Sequence, residues 1–263
     1  MYIDTHCHLN FKVFSQDWRQ VANQAVSAGV EKMIVVGADM ESSIKAVKLA
    51  EKHPNLWAAI GIHPHHVQSN IDLEKLEKLA KSKKVAAIGE CGLDYHVYEK
   101  SRYENLEITP KIKIAQKRLF GQQIQLAKKM NLPIIIHNRE AGEDTLDVLR
   151  HFSTDDGYYP LGVFHCISGG KKLLKKILEA GFFIGVDGNI VYSQEVQIMA
   201  AESPLEKIVL ETDAPYLSAD RSGDRNTPET VKIVAQYLAK LKNIPIKKVE
   251  QQTALNAHQL FKL

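Results

Sequence analysis

Short runs of β-branched and other apolar residues recur along the chain, and amphipathic stretches separate them. Eight such runs occur: YIDTH from Tyr2, KMIVVG from Lys32, LWAAIG from Leu56, VAAIGE from Val85, PIIIH from Pro133, GVFHC from Gly162, FFIGVD from Phe182 and KIVLETD from Lys207. Near-continuous apolar runs mark strands buried on both faces, as in a parallel sheet covered by helices. The stretches between them carry helical spacing. In SQDWRQVANQAVSAG, Trp18, Val21, Ala22 and Ala25 share a face, Ser15 is the expected N-cap and Gly29 the expected stop. MESSIKAVKLAEKHP, IDLEKLEKLAKS, RLFGQQIQLAKKMNLP, KKLLKKILEAG and PETVKIVAQYLAKLKNIP read the same way. Eight alternating units predict an α/β fold, a (β/α)8 TIM-type barrel forming a single domain over residues 1–263. Residues 95–113, YHVYEKSRYENLEITPKIK, are the least regular and are expected to form a long loop, with some helix admissible, after the fourth strand.

Composition narrows the class. With 44% hydrophobic and 25% charged residues, a chain of 263 residues can bury a large core, which excludes a disordered protein. No apolar run approaches a membrane span, and no basic segment leads into an apolar one at the N-terminus. Neither a membrane anchor nor a signal peptide is expected, and the expected location is cytoplasmic. The net charge of +3 is compatible with a polyanionic ligand but far from the bias of a dedicated nucleic-acid-binding tail. Three cysteines, Cys7, Cys91 and Cys166, fit a reducing compartment without a disulfide framework.

The first ten residues, MYIDTHCHLN, place His6 and His8 two apart, and a strand sends such residues to one face. With 11 His in 263 positions, chance alone gives roughly half an H-x-H per chain, so the pair is weak by itself. The strand ends change that. Barrel enzymes carry their chemistry where strands end, and the first run ends in His6 and His8, the fourth in Glu90, the fifth in His137, the sixth in His165 and the eighth in Asp213. Polar groups crowded at one barrel mouth are costly unless an ion satisfies them. Six candidate ligands exceed the three of a single catalytic zinc, so two divalent ions are expected, with Mg, Mn and Zn all admissible. Glu90 could bridge them, and a shared water would lose its proton near neutral pH to become the nucleophile. Asp213 could hold one ion and accept that proton. Each cysteine directly follows one of these residues, so strand alternation is expected to turn all three towards the helices as packed hydrophobes.

Taken in order, DTHCHL, GIHPH, GECGLDY, IHNREA, HCISGG and ETDAPYL with DRNTPE resemble the successive motifs of the TatD family of metal-dependent deoxyribonucleases, within the amidohydrolase-like barrels, from residue 3 to about residue 260. The resemblance implies hydrolysis of DNA phosphodiesters, typically as a 3′-5′ exonuclease. It implies that His6, His8, Glu90 and Asp213 bind one metal and Glu90, His137 and His165 the second. It favours His63 as a catalytic participant, donating to phosphate or shuttling protons. Arg139 could grip a phosphate through its guanidinium fork or pair with a neighbouring carboxylate. Arg225 and Asn226 are assigned to substrate or to loop structure. DNA is the expected partner, single strands included, and a monomer is compatible with the sequence. Tyr95, Tyr98, Lys100, Arg102 and Tyr103 in the long loop could stack on and neutralise a single strand, or the loop could be a solvated lid with no DNA contact. The chain departs from the family at HCISG, where H-C-F-S-G is usual, at Asp187, where a small residue is usual, and in the longer stretch after GLDY. Asp187 is expected to cap the turn containing Gly188 and Asn189. The first alternative is an amidohydrolase acting on amide or ester bonds, many of which bridge their ions with a modified lysine where this chain has Glu90. The second is a non-catalytic metal-bearing scaffold, which has no need of an open metal site.

Overall fold

A computed structural model describes residues 1–69, 71–98, 107–152, 161–219 and 225–263. Strands β1 (Tyr2–Cys7), β2 (Val30–Val36), β3 (Leu56–Ile60), β4 (Val85–Asp94), β5 (Ile134–Arg139), β6 (Gly162–Phe164), β7 (Phe183–Val186) and β8 (Ile208–Leu210) pair in chain order, each pair parallel. The ring is completed beyond β8. There Cys7 bridges Ala214, the His8 amide donates to Ala214 O at 2.7 Å and the Asp213 amide to His6 O at 2.8 Å. Helices α1 (Trp18–Ser27), α2 (Met40–Lys52), α3 (Leu73–Leu79), α4 (Pro110–Met130), α5 (Gly142–His151), α6 (Gly170–Glu179), α7 (Gln194–Glu202) and α8 (Val231–Lys242) follow the strands one for one, and α9 (Ile246–Phe261) ends the chain. This is the expected (β/α)8 TIM-type barrel.

Strand alternation divides the core in two. Ile34, Val36, Ala59, Ala87, Ile135, Val163 and Val209 point inward with Ile3 and Phe183, while their neighbours Met33, Val35, Ala58, Ile60, Ile134 and Ile136 pack against the helices. The inner cluster includes Ala257, Leu260 and Phe261, so α9 closes the end of the barrel where the strands begin. With that end sealed, the opposite mouth is the face left for chemistry.

Local details depart from the sequence reading. Asp17, not Ser15, precedes α1; Ser15 instead closes a 3₁₀ turn over Lys12–Phe14. The loop expected to run to residue 113 ends earlier, because Thr109 caps the Ile112 amide and Pro110 suits the first turn of α4. Residues 99–106, with Lys100, Arg102 and Tyr103, lie outside the described residues. Among the described residues no helix is long and apolar enough to cross a membrane.

Candidate metal centre

The mouth is assembled by two slips in strand register. Ile3 faces the barrel interior, and strict alternation would send Cys7 inward too; the β1–β2 register shifts between Asp4 and Cys7, and Cys7 joins the outer layer. The β4–β5 register shifts likewise between Ile88 and Cys91, which turns Cys91 outward and leaves Glu90 at the mouth. Gly89 permits the second slip: its φ is +150°, and a Cβ there would meet the Ile135 side chain and carbonyl at 2.7 Å. Asp4 ties the first strand to the segment after the last. Its Oδ1 accepts from the amides of His6 (3.2 Å) and Thr212 (3.0 Å), and Oδ2 from the Thr212 hydroxyl (2.7 Å). Asp213 adopts a left-handed backbone, φ +53°, held by its amide bond to His6 O. Aspartate tolerates that region better than most residues.

The six strand-end residues meet around Glu90. His6 Nε2 lies 3.3 Å from His8 Nε2, 3.7 Å from Asp213 Oδ1 and 3.6 Å from Glu90 Oε2, and His8 Nε2 lies 3.3 Å from Asp213 Oδ1. A tetrahedral ion with ligands at about 2.0–2.1 Å separates them by about 3.3–3.4 Å, so this donor set is spaced to hold one. The His8 Nδ1 lies 2.9 Å from Val36 O, which keeps its proton there and turns the Nε2 lone pair inward. On the other side Glu90 Oε1 lies 2.8 Å from His137 Nδ1, 3.6 Å from His63 Nε2 and 3.7 Å from His165 Nε2.

Two carboxylates not singled out in the sequence support this second side. Asp94 Oδ2 is 2.9 Å from His137 Nε2, 2.8 Å from His65 Nε2 and 2.7 Å from the Tyr98 hydroxyl that donates to it. Glu211 Oε1 is 3.0 Å from His165 Nδ1 and accepts the Cys166 amide at 2.6 Å. Gly185 makes room for Glu211, since a Cβ would collide with its carboxylate. His137 and His165 thus each have one nitrogen towards a supporting carboxylate and the other towards Glu90, an arrangement that orients a ring for ligation.

Charge follows from these contacts. Burial would lower His137, but hydrogen bonds to Asp94 and Glu90 outweigh it and raise the imidazole to about 9. Burial is likewise overcome at His165 by the Glu211 charge, which raises it to about 10. Burial pushes Glu90 up, yet His63, His137 and His6 around it bring it well below the usual carboxylate range. His63 is the opposite case: burial and the His137 charge hold it well below an ordinary imidazole. Its Nδ1 accepts the His65 amide at 3.2 Å, so the proton resides on Nε2, facing Glu90. His63 is therefore a neutral donor into the mouth.

The remaining candidates lie as follows. Arg139 donates to the Tyr98 hydroxyl at 3.1 Å and lies over that ring. Arg225 grips the Asp17 carboxylate with both terminal nitrogens, donates to Val13 O and covers the Phe14 ring. Asn226 is buried, its amide nitrogen donating to Thr212 O and Tyr216 O and its oxygen accepting from the Thr227 amide and the Thr230 hydroxyl. Both residues secure the loop after β8. Asp187 caps its turn by accepting the Asn189 amide at 2.6 Å, and burial beside Glu211 raises it to about 7. Cys166 corrects the expectation for the cysteines. β6 ends at Phe164, so alternation no longer governs Cys166, which has φ +49° and accepts from Asn189 Nδ2 near the mouth.

A barrel whose mouth gathers imidazoles and carboxylates about one buried glutamate is that of a metal-dependent hydrolase. The relatives of the chain agree. It is 34% identical over 269 residues to the uncharacterized metal-dependent hydrolase YabD of Bacillus subtilis, covering 100% of both chains. The chain belongs to the TatD related DNase family, whose sequence pattern matches residues 3–262. It is 32% identical over 271 residues to the 3′-5′ ssDNA/RNA exonuclease TatD of Erwinia tasmaniensis, covering 99% of each. Its fold matches the crystal structure of the TatD homologue YjjV of Escherichia coli with a TM-score of 0.88 at 31% identity, over 100% of this chain and 98% of that one.

Proposed function

We propose that the protein is a metal-dependent deoxyribonuclease, a 3′-5′ exonuclease, using two divalent ions. His6, His8, Glu90 and Asp213 would hold one, and Glu90, His137 and His165 the other. The observation that carries this reading is the reach of Glu90: one oxygen faces His6 and the other faces His137, so a single carboxylate serves both sides of the mouth. When bound, paired ions would activate water and neutralise charge on the phosphoryl and leaving oxygens. Side chains of the protein supply the remaining roles. Asp94 and Glu211 orient His137 and His165. His63 Nε2–H can donate to a phosphate oxygen without carrying a charge of its own. Asp213 Oδ1 faces His6 and His8 while its second oxygen makes no hydrogen bond among the described residues, which leaves it to take the proton from the attacking water.

The test strips the protein of metal, restores Mg, Mn or Zn separately, and follows 5′-end-labelled single- and double-stranded DNA and RNA beside amide and ester substrates. Metal-dependent stepwise shortening of DNA from its 3′ end is the expected result. DNA left intact with every metal, alongside hydrolysis of an amide or a carboxylic ester, would overturn the nuclease reading in favour of an amidohydrolase.

A further inference from the structure

A groove of about 720 Å³ adjoins the His8 side of the mouth, between the loops that follow β1, β2 and β8. Its aromatic wall begins at a candidate ligand. The ring of Phe11 stacks on His8 with centroids 4.3 Å apart and 14° between planes, and Tyr216 stands edge-on to Phe11 at 6.4 Å. Tyr216 leaves 46% of its surface exposed, in a loop otherwise fastened by Asn226 and Arg225, so its ring is open to a stacking partner. Two of the ionised pairs around the groove cancel locally: Glu41 pairs with Lys45 at 2.7 Å and Arg225 is held by Asp17, whereas Asp39, capped by the Ser42 amide, keeps its negative charge. Lys12, exposed on the groove wall, has no ion pair among the described residues. The surface thus combines an open aromatic face, a lysine without an ion pair among the described residues and direct continuity with the candidate metal centre.

We propose that this groove is a nucleobase subsite: the base flanking the scissile phosphate stacks on the Phe11–Tyr216 wall, and Lys12 meets the neighbouring phosphate. The substrate class rests on the nuclease reading. Stacking needs no base-edge recognition, so every base is accepted, whereas a base still paired in a duplex cannot enter. The groove would therefore select frayed or single-stranded ends.

The test uses a short single-stranded oligonucleotide with cleavage-resistant phosphorothioate linkages and 2-aminopurine at the 3′-terminal or penultimate position, titrated with the metal-loaded protein. Stacking should quench the 2-aminopurine fluorescence. Tyr216→Ala and Phe11→Leu should lose the quench and bind about 5- to 100-fold more weakly, and an abasic unit at that position should cost the wild type a similar factor but cost the variants little. Metal content is measured on each sample, because Phe11 touches His8. Lys12→Ala should weaken base-bearing and abasic ends alike and flatten the salt dependence by about one charge. Wild type that binds both ends equally, or variants that retain the full preference for a base, would overturn the subsite. Cleavage of the unmodified oligonucleotide is scored separately: quenching without cleavage supports the subsite and counts against the nuclease reading, whereas cleavage indifferent to the base does the reverse.

Discussion

Loading the His137–His165 side with a divalent ion should expel about two protons per ion at pH 7. Metal-free His137 and His165 have pKa values of about 9 and about 10, so each is an imidazolium at neutral pH, whereas a ligand nitrogen must be unprotonated. At pH 7 each proton must be displaced against a pKa raised by neighbouring carboxylates, at a cost on the order of a few kcal/mol. The sign follows from the direction of the shifts. Both are raised on folding, so the stability they give the metal-free protein is complete below the ordinary imidazole pKa and is lost as pH climbs through about 9 and about 10. Metal affinity moves the other way, rising by up to about a hundredfold per pH unit until His137 is neutral. Isothermal titration calorimetry at one pH, in buffers of different ionisation enthalpy, reads the released protons directly. Asp94→Asn, which removes the charge beside His137, should reduce the number by about one at a pH just above neutrality. Heats that do not depend on the buffer would show both imidazoles neutral before the ion arrives, and the account of how Asp94 and Glu211 tune this side would be wrong.

Asp213→Asn removes the basic oxygen while keeping the shape, so single-turnover cleavage of DNA should slow by about 100-fold or more with DNA affinity retained; a wild-type rate with both metals bound would refute its role. Glu90→Gln should cost more and lose one ion by metal analysis, since a neutral amide bridges two cations poorly. Asp4→Ala leaves the buried amides of His6 and Thr212 without an acceptor, which should destabilise the fold by about 2–6 kcal/mol in urea unfolding; a loss under about 1 kcal/mol would mean these amides find other partners. Cys7→Ala and Cys91→Ala should each cost about 1–2 kcal/mol of stability yet leave metal content unchanged, because both thiols pack in the outer layer.

The barrel and the convergence of the six strand-end residues were legible in the sequence because both are written locally. An apolar run reports its own strand, and a polar residue at its end reports the mouth. What escaped depends on partners distant along the chain. Arg225 was open between substrate and loop structure because nothing near it reveals Asp17, 208 positions away, whose carboxylate it grips. α9 lay beyond the eighth unit, where the repeat no longer predicts anything, and its role in closing the barrel is visible only against Ile3 and Phe183. Asp94 and Glu211 stand in GLDY and ETD, yet alternation treats them as ordinary strand neighbours. A usable signal did exist. Each imidazole on the second side needs a buried acceptor to fix its tautomer, so an acidic residue at the end of an adjacent or nearby strand is the natural candidate, as Asp94 on β4 is for His137 on β5. Glu211 is harder to find by that rule, because it reaches His165 from beyond β8 only through the space left at Gly185 on β7. The small residue is therefore as informative as the charged one: at a barrel mouth, a glycine in a strand marks the path by which a carboxylate reaches the ring it supports.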